Sequence, residues 1–222
     1  MLLQRNIINT SDGSQTIEIP EWQVTYHSHH GAVQESRHVF IEAGLRPLLQ
    51  RNTNQINILE IGFGTGLNAL LTLAETAALP YPIRYTAIEL FPLDTDIVSL
   101  LEYDKIIGFK SEFEAMHQAT WGEKVQISAN FELLKLQTPI ETFEQTGAFD
   151  LIYFDAFSPV TQPELWSETV MQLIFDALSA GGVLTTYCAK GVVKRTLKSV
   201  GFRVESLAGP PGKREMTRAT KA

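Results

Sequence analysis

The feature that most constrains this chain is the run Ile58-Leu59-Glu60-Ile61-Gly62-Phe63-Gly64-Thr65-Gly66-Leu67-Asn68. A short apolar segment of strand character leads into three glycines at alternate positions, and a helical apolar pattern follows. Glycines at such a junction let the chain turn sharply and let its backbone approach a ligand closely, and the next helix opens with free N–H groups. From residue 56 onward, short apolar runs alternate with longer helical patterns. The spacing predicts strands at Ile56–Ile61, Ile83–Glu89, Val125–Ser128, Phe149–Asp155, Val183–Cys188 and Phe202–Ser206, with helices at about 67–78, 93–103, 163–179 and 190–200. This alternation implies an α/β domain with a mostly parallel sheet covered on both faces. Residues 104–122, carrying Trp121, read as a looser insertion. Upstream, Thr16–Ile19 and Trp22–His27 read as a small β-arm around Pro20, and residues 33–50 have a rough helical spacing with Pro47 near its end. The expected organisation is an arm and helix over 1–50 packed on a main domain over 51–222, one unit overall.

Composition bounds the function. No apolar run approaches the roughly 18 residues a membrane helix needs. Met1-Leu2-Leu3-Gln4-Arg5-Asn6 lacks the basic start and apolar stretch of a secretion signal. The single cysteine, Cys188, excludes an internal disulfide and a Cys-based zinc site, and reads as a buried thiol at a strand end. These features point to a protein free of membrane in a reducing, cytoplasmic setting. The net charge of −7 hides a split. Residues 1–189 hold 9 Lys and Arg against 23 Asp and Glu, whereas residues 190–222 hold 9 against 2. A basic edge on an acidic body suits a polyanionic partner. His27, His29 and His30 lack a matching carboxylate spacing and read as surface residues, so no metal site is expected.

The glycine spacing separates two nucleotide-binding classes. Gly62, Gly64 and Gly66 form G-x-G-x-G, while a dinucleotide fingerprint needs its third glycine where Leu67 stands. Glu60, two residues before the first glycine, would oppose a pyrophosphate but suits the cationic amino-acid end of S-adenosylmethionine (AdoMet). The pattern resembles class I AdoMet-dependent methyltransferases, which implies a Rossmann-like, mostly parallel seven-stranded sheet, here with a short N-terminal β/α extension. On that resemblance Glu60, Gly62, Gly64, Gly66 and Asn68 would form the cofactor loop. Glu89, ending the second strand, suits both hydroxyls of a ribose, as it would in an NAD enzyme too. Asn130, after the third predicted strand, would meet the adenine, with a helix N-cap the competing reading.

The fourth strand delivers Asp155 to its carboxyl end beside the glycine loop, where ligands bind in open α/β sheets. From there Phe154-Asp155-Ala156-Phe157-Ser158-Pro159, Pro163-Glu164-Leu165-Trp166, Ala180-Gly181-Gly182-Val183, Lys190-Gly191-Val192-Val193-Lys194-Arg195 and Gly212-Lys213-Arg214-Glu215-Met216 resemble one family. It is the tRNA 5-aminomethyl-2-thiouridine methyltransferase family, MnmD, found alone or as the N-terminal half of bifunctional MnmC. Glu35-Ser36-Arg37-His38-Val39-Phe40 matches it as well, and the resemblance covers about residues 10–218.

The resemblance implies methyl transfer from AdoMet to the amine of 5-aminomethyl-(2-thio)uridine at wobble position 34. The chain lacks the flavin-dependent half of MnmC, so no flavin is expected, and another tRNA-modifying enzyme would supply the aminomethyl group. Asp155 is the candidate catalytic residue, also touching the cofactor. A carboxylate stabilises an ammonium, so orienting the amine is favoured over strong general-base action. Phe157 is a candidate platform for the flipped base, as is Tyr187, for which core packing is the better reading. Lys190, Lys194, Lys213 and Arg214 are candidates for phosphates of the tRNA anticodon loop. The alternative is an AdoMet-dependent N-methyltransferase of another small-molecule or protein amine.

Overall fold

The computed structural model describes residues 4–51 and 53–222. Met1–Leu3, part of the stretch read for a secretion signal, lie outside the described residues. The chain opens with a three-stranded antiparallel sheet of β1 (Asn6–Asn9), β2 (Gln15–Ile19) and β3 (Val24–Thr25). A helical segment follows over Ala32–Ser36, widens over Arg37–Leu45 and tightens again over Arg46–Leu49. The wide turn lies just ahead of Pro47, which supplies no N–H and whose ring crowds the preceding turn. This segment buries Val39, Phe40, Ile41 and Leu45 against the main sheet, each contributing about 1.5–3 kcal/mol. Gly44 makes the approach possible, because a Cβ there would lie 3.1 Å from Thr185 Oγ1 and 3.3 Å from Leu151 Cδ1.

Among the described residues the main sheet has eight strands, not the expected seven. They are β4 (Ile56–Ile61), β5 (Ile83–Ile88), β6 (Lys124–Ser128), β7 (Phe131–Leu136), β8 (Phe149–Phe154), β9 (Leu178–Thr186), β10 (Phe202–Ala208) and β11 (Glu215–Lys221). Their order is β10-β11-β9-β8-β4-β5-β7-β6. The five strands from β9 to β7 are parallel, and antiparallel strands flank them on each side. The strand expected at Val125–Ser128 exists but is an antiparallel edge. The third parallel strand is Phe131–Leu136, whose Glu132 and Lys135 interrupt the apolar run that would have revealed it. β4 is buried on both faces: Ile56 and Ile58 pack towards the N-terminal helix, and Leu59 and Ile61 towards the opposite layer.

The helix Leu67–Thr76 follows the glycine loop. The helix expected at 93–103 shrinks to Thr95–Val98. The looser segment at 104–122 instead carries helices Asp104–Ile107 and Lys110–Gln118, separated by Gly108 and Phe109, both at positive φ. Phe113 and Met116 bury the apolar face of the second of these helices. The helix Glu168–Ala177 is capped by Ser167, whose hydroxyl accepts from Val170 N–H. The helix Gly191–Ser199 covers the same side.

Candidate active site

A cleft of about 900 Å³ lies over the carboxyl ends of the parallel strands. It is centred on β4 and β8, from which the strand order runs outward in both directions, the point where open α/β sheets bind ligands. The turn after β4 forms its floor. Gly62 has φ +90°, and a Cβ there would sit 2.9 Å from the backbone oxygen of Asp155; Gly66 has φ +73°, and its Cβ would meet His117 Nε2 at 2.9 Å. The loop thus packs backbone to backbone against the Asp155 turn, as larger residues would forbid. Glu89 closes one side by accepting from Gly64 N–H at 3.1 Å and from Phe91 N–H at 2.9 Å.

Asn130 is not in the site. It sits in the turn between β6 and β7, at the amino end of the third parallel strand, where its Nδ2 donates to the carbonyls of Thr76 and Leu79 at 2.8 and 3.2 Å. With β7 hidden in the sequence, the residue expected to meet the adenine falls at the wrong strand end. The carboxyl end of β7 leads instead to Thr138, Pro139, Ile140 and Glu141, which line the cleft.

Glu60 is also corrected. Its side chain is fully buried behind Asn68 and does not line the cleft. β4 alternates, so residue 60 points towards Tyr85 and the Leu67–Thr76 helix. Burial pushes its carboxyl well above the usual range. Its partner is Asn68, whose Nδ2 donates to Glu60 Oε1 at 2.9 Å and to Asp155 Oδ2 at 2.8 Å. One amide therefore bridges a buried acid and the acid facing the cleft. Glu60 positions Asn68, and Asn68 positions Asp155. Asp155 is pushed up to about 8, chiefly by burial; the Asn68 bond and Lys213 pull it down, and the charge of Glu35 pushes it up.

The N-terminal extension builds the opposite wall, a contribution the sequence does not suggest. Phe157 lines the cleft with Tyr26 edge-on at 5.0 Å and Trp22 at 5.9 Å between ring centroids. Tyr187 also lines it and donates to the carbonyl of Ala156 at 2.8 Å. Glu35 enters from the first helix. His27, expected at the surface, is buried; its ring lies against Thr16, and burial pulls it down to about 4, so it stays neutral.

The basic candidates part company. Lys213 faces inward, donating to Glu35 Oε1. Lys194 is held by Glu215 at 2.7 Å and Ser206 at 2.6 Å. Lys190 and Arg214 are exposed and lie outside the cleft lining. Among the described residues, no group of three or more His, Cys, Asp or Glu is placed to hold a metal ion, and no helix is long and apolar enough to cross a membrane.

A glycine-floored cleft at the switch point of a parallel sheet, with acids at two strand ends, is a nucleoside-binding site on a Rossmann-like sheet. The chain belongs to the S-adenosyl-L-methionine-dependent methyltransferases, a family that matches residues 110–222. It is 30% identical over 203 residues to the tRNA 5-methylaminomethyl-2-thiouridine biosynthesis bifunctional protein MnmC of Leptospira interrogans, covering 86% of this chain and 31% of that one. The protein of the same name from Cupriavidus metallidurans is 30% identical over 211 residues, covering 89% and 31%. The chain thus spans about a third of these relatives' length. The structure of MnmC2 from Aquifex aeolicus superposes with a TM-score of 0.83 at 25% identity, covering all of this chain and 71% of that one. A spermidine synthase from Thermotoga maritima shares the fold, with a TM-score of 0.60 at 16% identity.

Proposed function

We propose that this chain methylates the primary amine on carbon 5 of 5-aminomethyl-(2-thio)uridine at the wobble position of tRNA, giving the 5-methylaminomethyl nucleoside. The observation that carries this reading is the juxtaposition of Asp155 with an aromatic wall of Trp22, Tyr26 and Phe157 in one cleft. It offers an acid for an amine and ring faces for an unstacked base. Similarity to MnmC of Leptospira interrogans and to MnmC2 of Aquifex aeolicus supports the acceptor.

The residues present fit AdoMet. Glu89 stands at a strand end beside the glycine loop, where a carboxylate can accept from ribose hydroxyls. In our proposal Gly62, Gly64, Gly66 and Asn68 shape the donor half, and Thr138 to Glu141 enclose the adenine. AdoMet supplies an electrophilic methyl whose sulfur leaves as a neutral thioether. The amine lone pair forms the N–C bond as the C–S bond breaks, with its electron pair going to sulfur, and the resulting ammonium gives up one proton.

Asp155 receives that proton. An ordinary carboxylate would trap the substrate as an unreactive ammonium. A carboxyl pushed up to about 8 competes for the proton on nearly equal terms, so it both orients the neutral amine and accepts from the product. The proposed reaction is methyl transfer alone, with neither flavin nor metal; another enzyme supplies the aminomethyl group, and the setting is cytoplasmic. Lys190 and Arg214 remain candidates for anticodon-loop phosphates.

The test is transfer of labelled methyl from AdoMet to tRNA taken from cells lacking this activity, with unmodified transcript as the control. A methylaminomethyl nucleoside, identified by mass only with the prepared tRNA, is expected. AdoMet binding without transfer to any tRNA would overturn the proposed acceptor.

A further inference from the structure

The acceptor end holds a charged pair that the mechanism above does not use. Lys213 Nζ donates to Glu35 Oε1 and lies 4.2 Å from the centre of the Tyr187 ring. Glu35 is fixed in turn: its Oε2 accepts from Ser28 N–H at 2.7 Å, and its side chain is only 9% exposed. Tyr187 is tied to the carbonyl of Ala156, the residue after Asp155. A compact turn aims Lys213 inward, with Lys213 N–H donating to Pro210 O at 2.9 Å and Gly212 packed so tightly on His30 that a Cβ would strike its ring. Lys213, Glu35, Tyr187 and Asp155 all line the same cleft. A lysine serving as a phosphate contact would project from the exposed basic edge; this one occupies a seat for an ammonium inside the site.

Resting on the acceptor reading above, we propose that Lys213 is a positioning residue that neutralises Glu35, so that no second free carboxylate captures the substrate amine in its unreactive ammonium form. An opposite charge within about 4–6 Å raises an amine's pKa by roughly one to three, and an ammonium has no lone pair to attack with. The groups around Lys213 are Glu35 from the first helix, Asp155 after β8, Tyr187 and Cys188 after β9, His27 and His30 from the loop ahead of the helix, and Arg214 and Glu215 beside it in sequence. His27 is held neutral by burial, and burial raises Tyr187 and Cys188. Asp155 and the Glu35–Lys213 pair are therefore the charged groups that set the field in this part of the cleft. Remove the lysine, and Glu35 is left facing the substrate.

The test compares Lys213→Met, Lys213→Arg and the double variant Glu35→Gln/Lys213→Met, in methyl transfer to the prepared tRNA over about pH 6.5 to 9.5. AdoMet titration of each variant verifies an intact cofactor site. Lys213→Met should lower kcat about tenfold or more near neutral pH and move its acidic limb up by about one pH unit or more. Its KM for tRNA should be unchanged or lower, and activity should return at high pH. Lys213→Arg should keep the native profile. The double variant should recover to within about threefold of the native rate, since the amide introduced by Glu35→Gln can still accept from Ser28 N–H and carries no charge. The salt dependence of tRNA binding should be the same for Lys213→Met as for the native chain. The inference is overturned by a loss equal at all pH values, by a double variant no better than the single one, or by a salt slope shallower by about 0.7–0.9, which would make Lys213 a phosphate contact. Failure of the unsubstituted protein to methylate the tRNA would instead refute the acceptor reading, and this inference with it.

Discussion

Replacing Asp155 by Asn should stabilise the protein, and more so as the pH rises. Asp155 titrates near 3.8 when unperturbed and is pushed up to about 8 in the fold. An acid whose folded pKa is raised holds its proton in the native state after the unfolded chain has lost it. Native stability therefore falls with rising pH, by at most about 1.4 kcal/mol per pH unit between roughly pH 4 and pH 8. The full window corresponds to about 5–6 kcal/mol, and cleft water facing the carboxyl screens this to roughly 2–4 kcal/mol. Asn retains an oxygen to accept from Asn68 Nδ2. Glu60 is raised chiefly by burial, against the Asn68 bond, with the Asp155 charge adding to the rise; Asp155→Asn removes that added part, which acts in the same direction, towards a more stable variant at high pH. The assay is urea unfolding of native and Asp155→Asn proteins at several values from about pH 5 to pH 8. The difference should be about 0.5–1 kcal/mol near pH 5 and reach about 2–4 kcal/mol in favour of Asp155→Asn at the alkaline end. A difference independent of pH, or one that favours the native protein increasingly as pH rises, would refute the burial argument.

Other outcomes follow from the same geometry. Asn68→Leu removes bonds to both Glu60 and Asp155 and should cost about 2–4 kcal/mol of stability in denaturant titration, because it leaves Glu60 buried without a partner. It should also move methyl transfer to higher pH, since that bond pulls Asp155 down. Gly62→Ala places a Cβ 2.9 Å from the Asp155 backbone oxygen at φ +90°, so it should cost about 1–3 kcal/mol and weaken AdoMet binding by calorimetry. Asn130→Ala should cost about 1–2 kcal/mol yet leave AdoMet affinity unchanged, whereas a tenfold loss would return that residue to the site. Lys190→Ala and Arg214→Ala should each make the salt slope of tRNA binding shallower by about 0.7–0.9, while Lys194→Ala, already engaged by Glu215, should not.

The parts of this molecule legible in the sequence are those whose physics is local. Strand β4, the glycines after it and Asp155 at the end of β8 announce themselves because a buried strand and a backbone turn each need particular residues in a short window. β7 is hidden because Lys135, which packs over Trp121 and donates to the carbonyl of His117, looks like a surface charge. β11 is hidden because Glu215-Met216-Thr217-Arg218-Ala219-Thr220-Lys221 reads as a polar tail, while its stability comes from backbone pairing with strands on both sides. The misplacement of Asn130 follows directly from the missing strand. Charge complementarity points Glu60 at the ligand; only the alternation of β4 about its neighbours shows that the residue faces away. Glu35 and Lys213 lie 178 positions apart, and no periodicity brings them together. The available signal is that both belong to stretches resembling the methyltransferase family, Glu35 to residues 35–40 and Lys213 to residues 212–216.

The most direct test of the account is to measure two constants for Asp155→Asn: the single-turnover rate of methyl transfer to aminomethyl tRNA, and the dissociation constant for AdoMet. If Asp155 acts on the acceptor amine, the rate should fall about 10²-fold or more, while AdoMet binding changes by less than about threefold. Equal losses in rate and affinity would make Asp155 a donor-binding residue and contradict the assignment of the acceptor end.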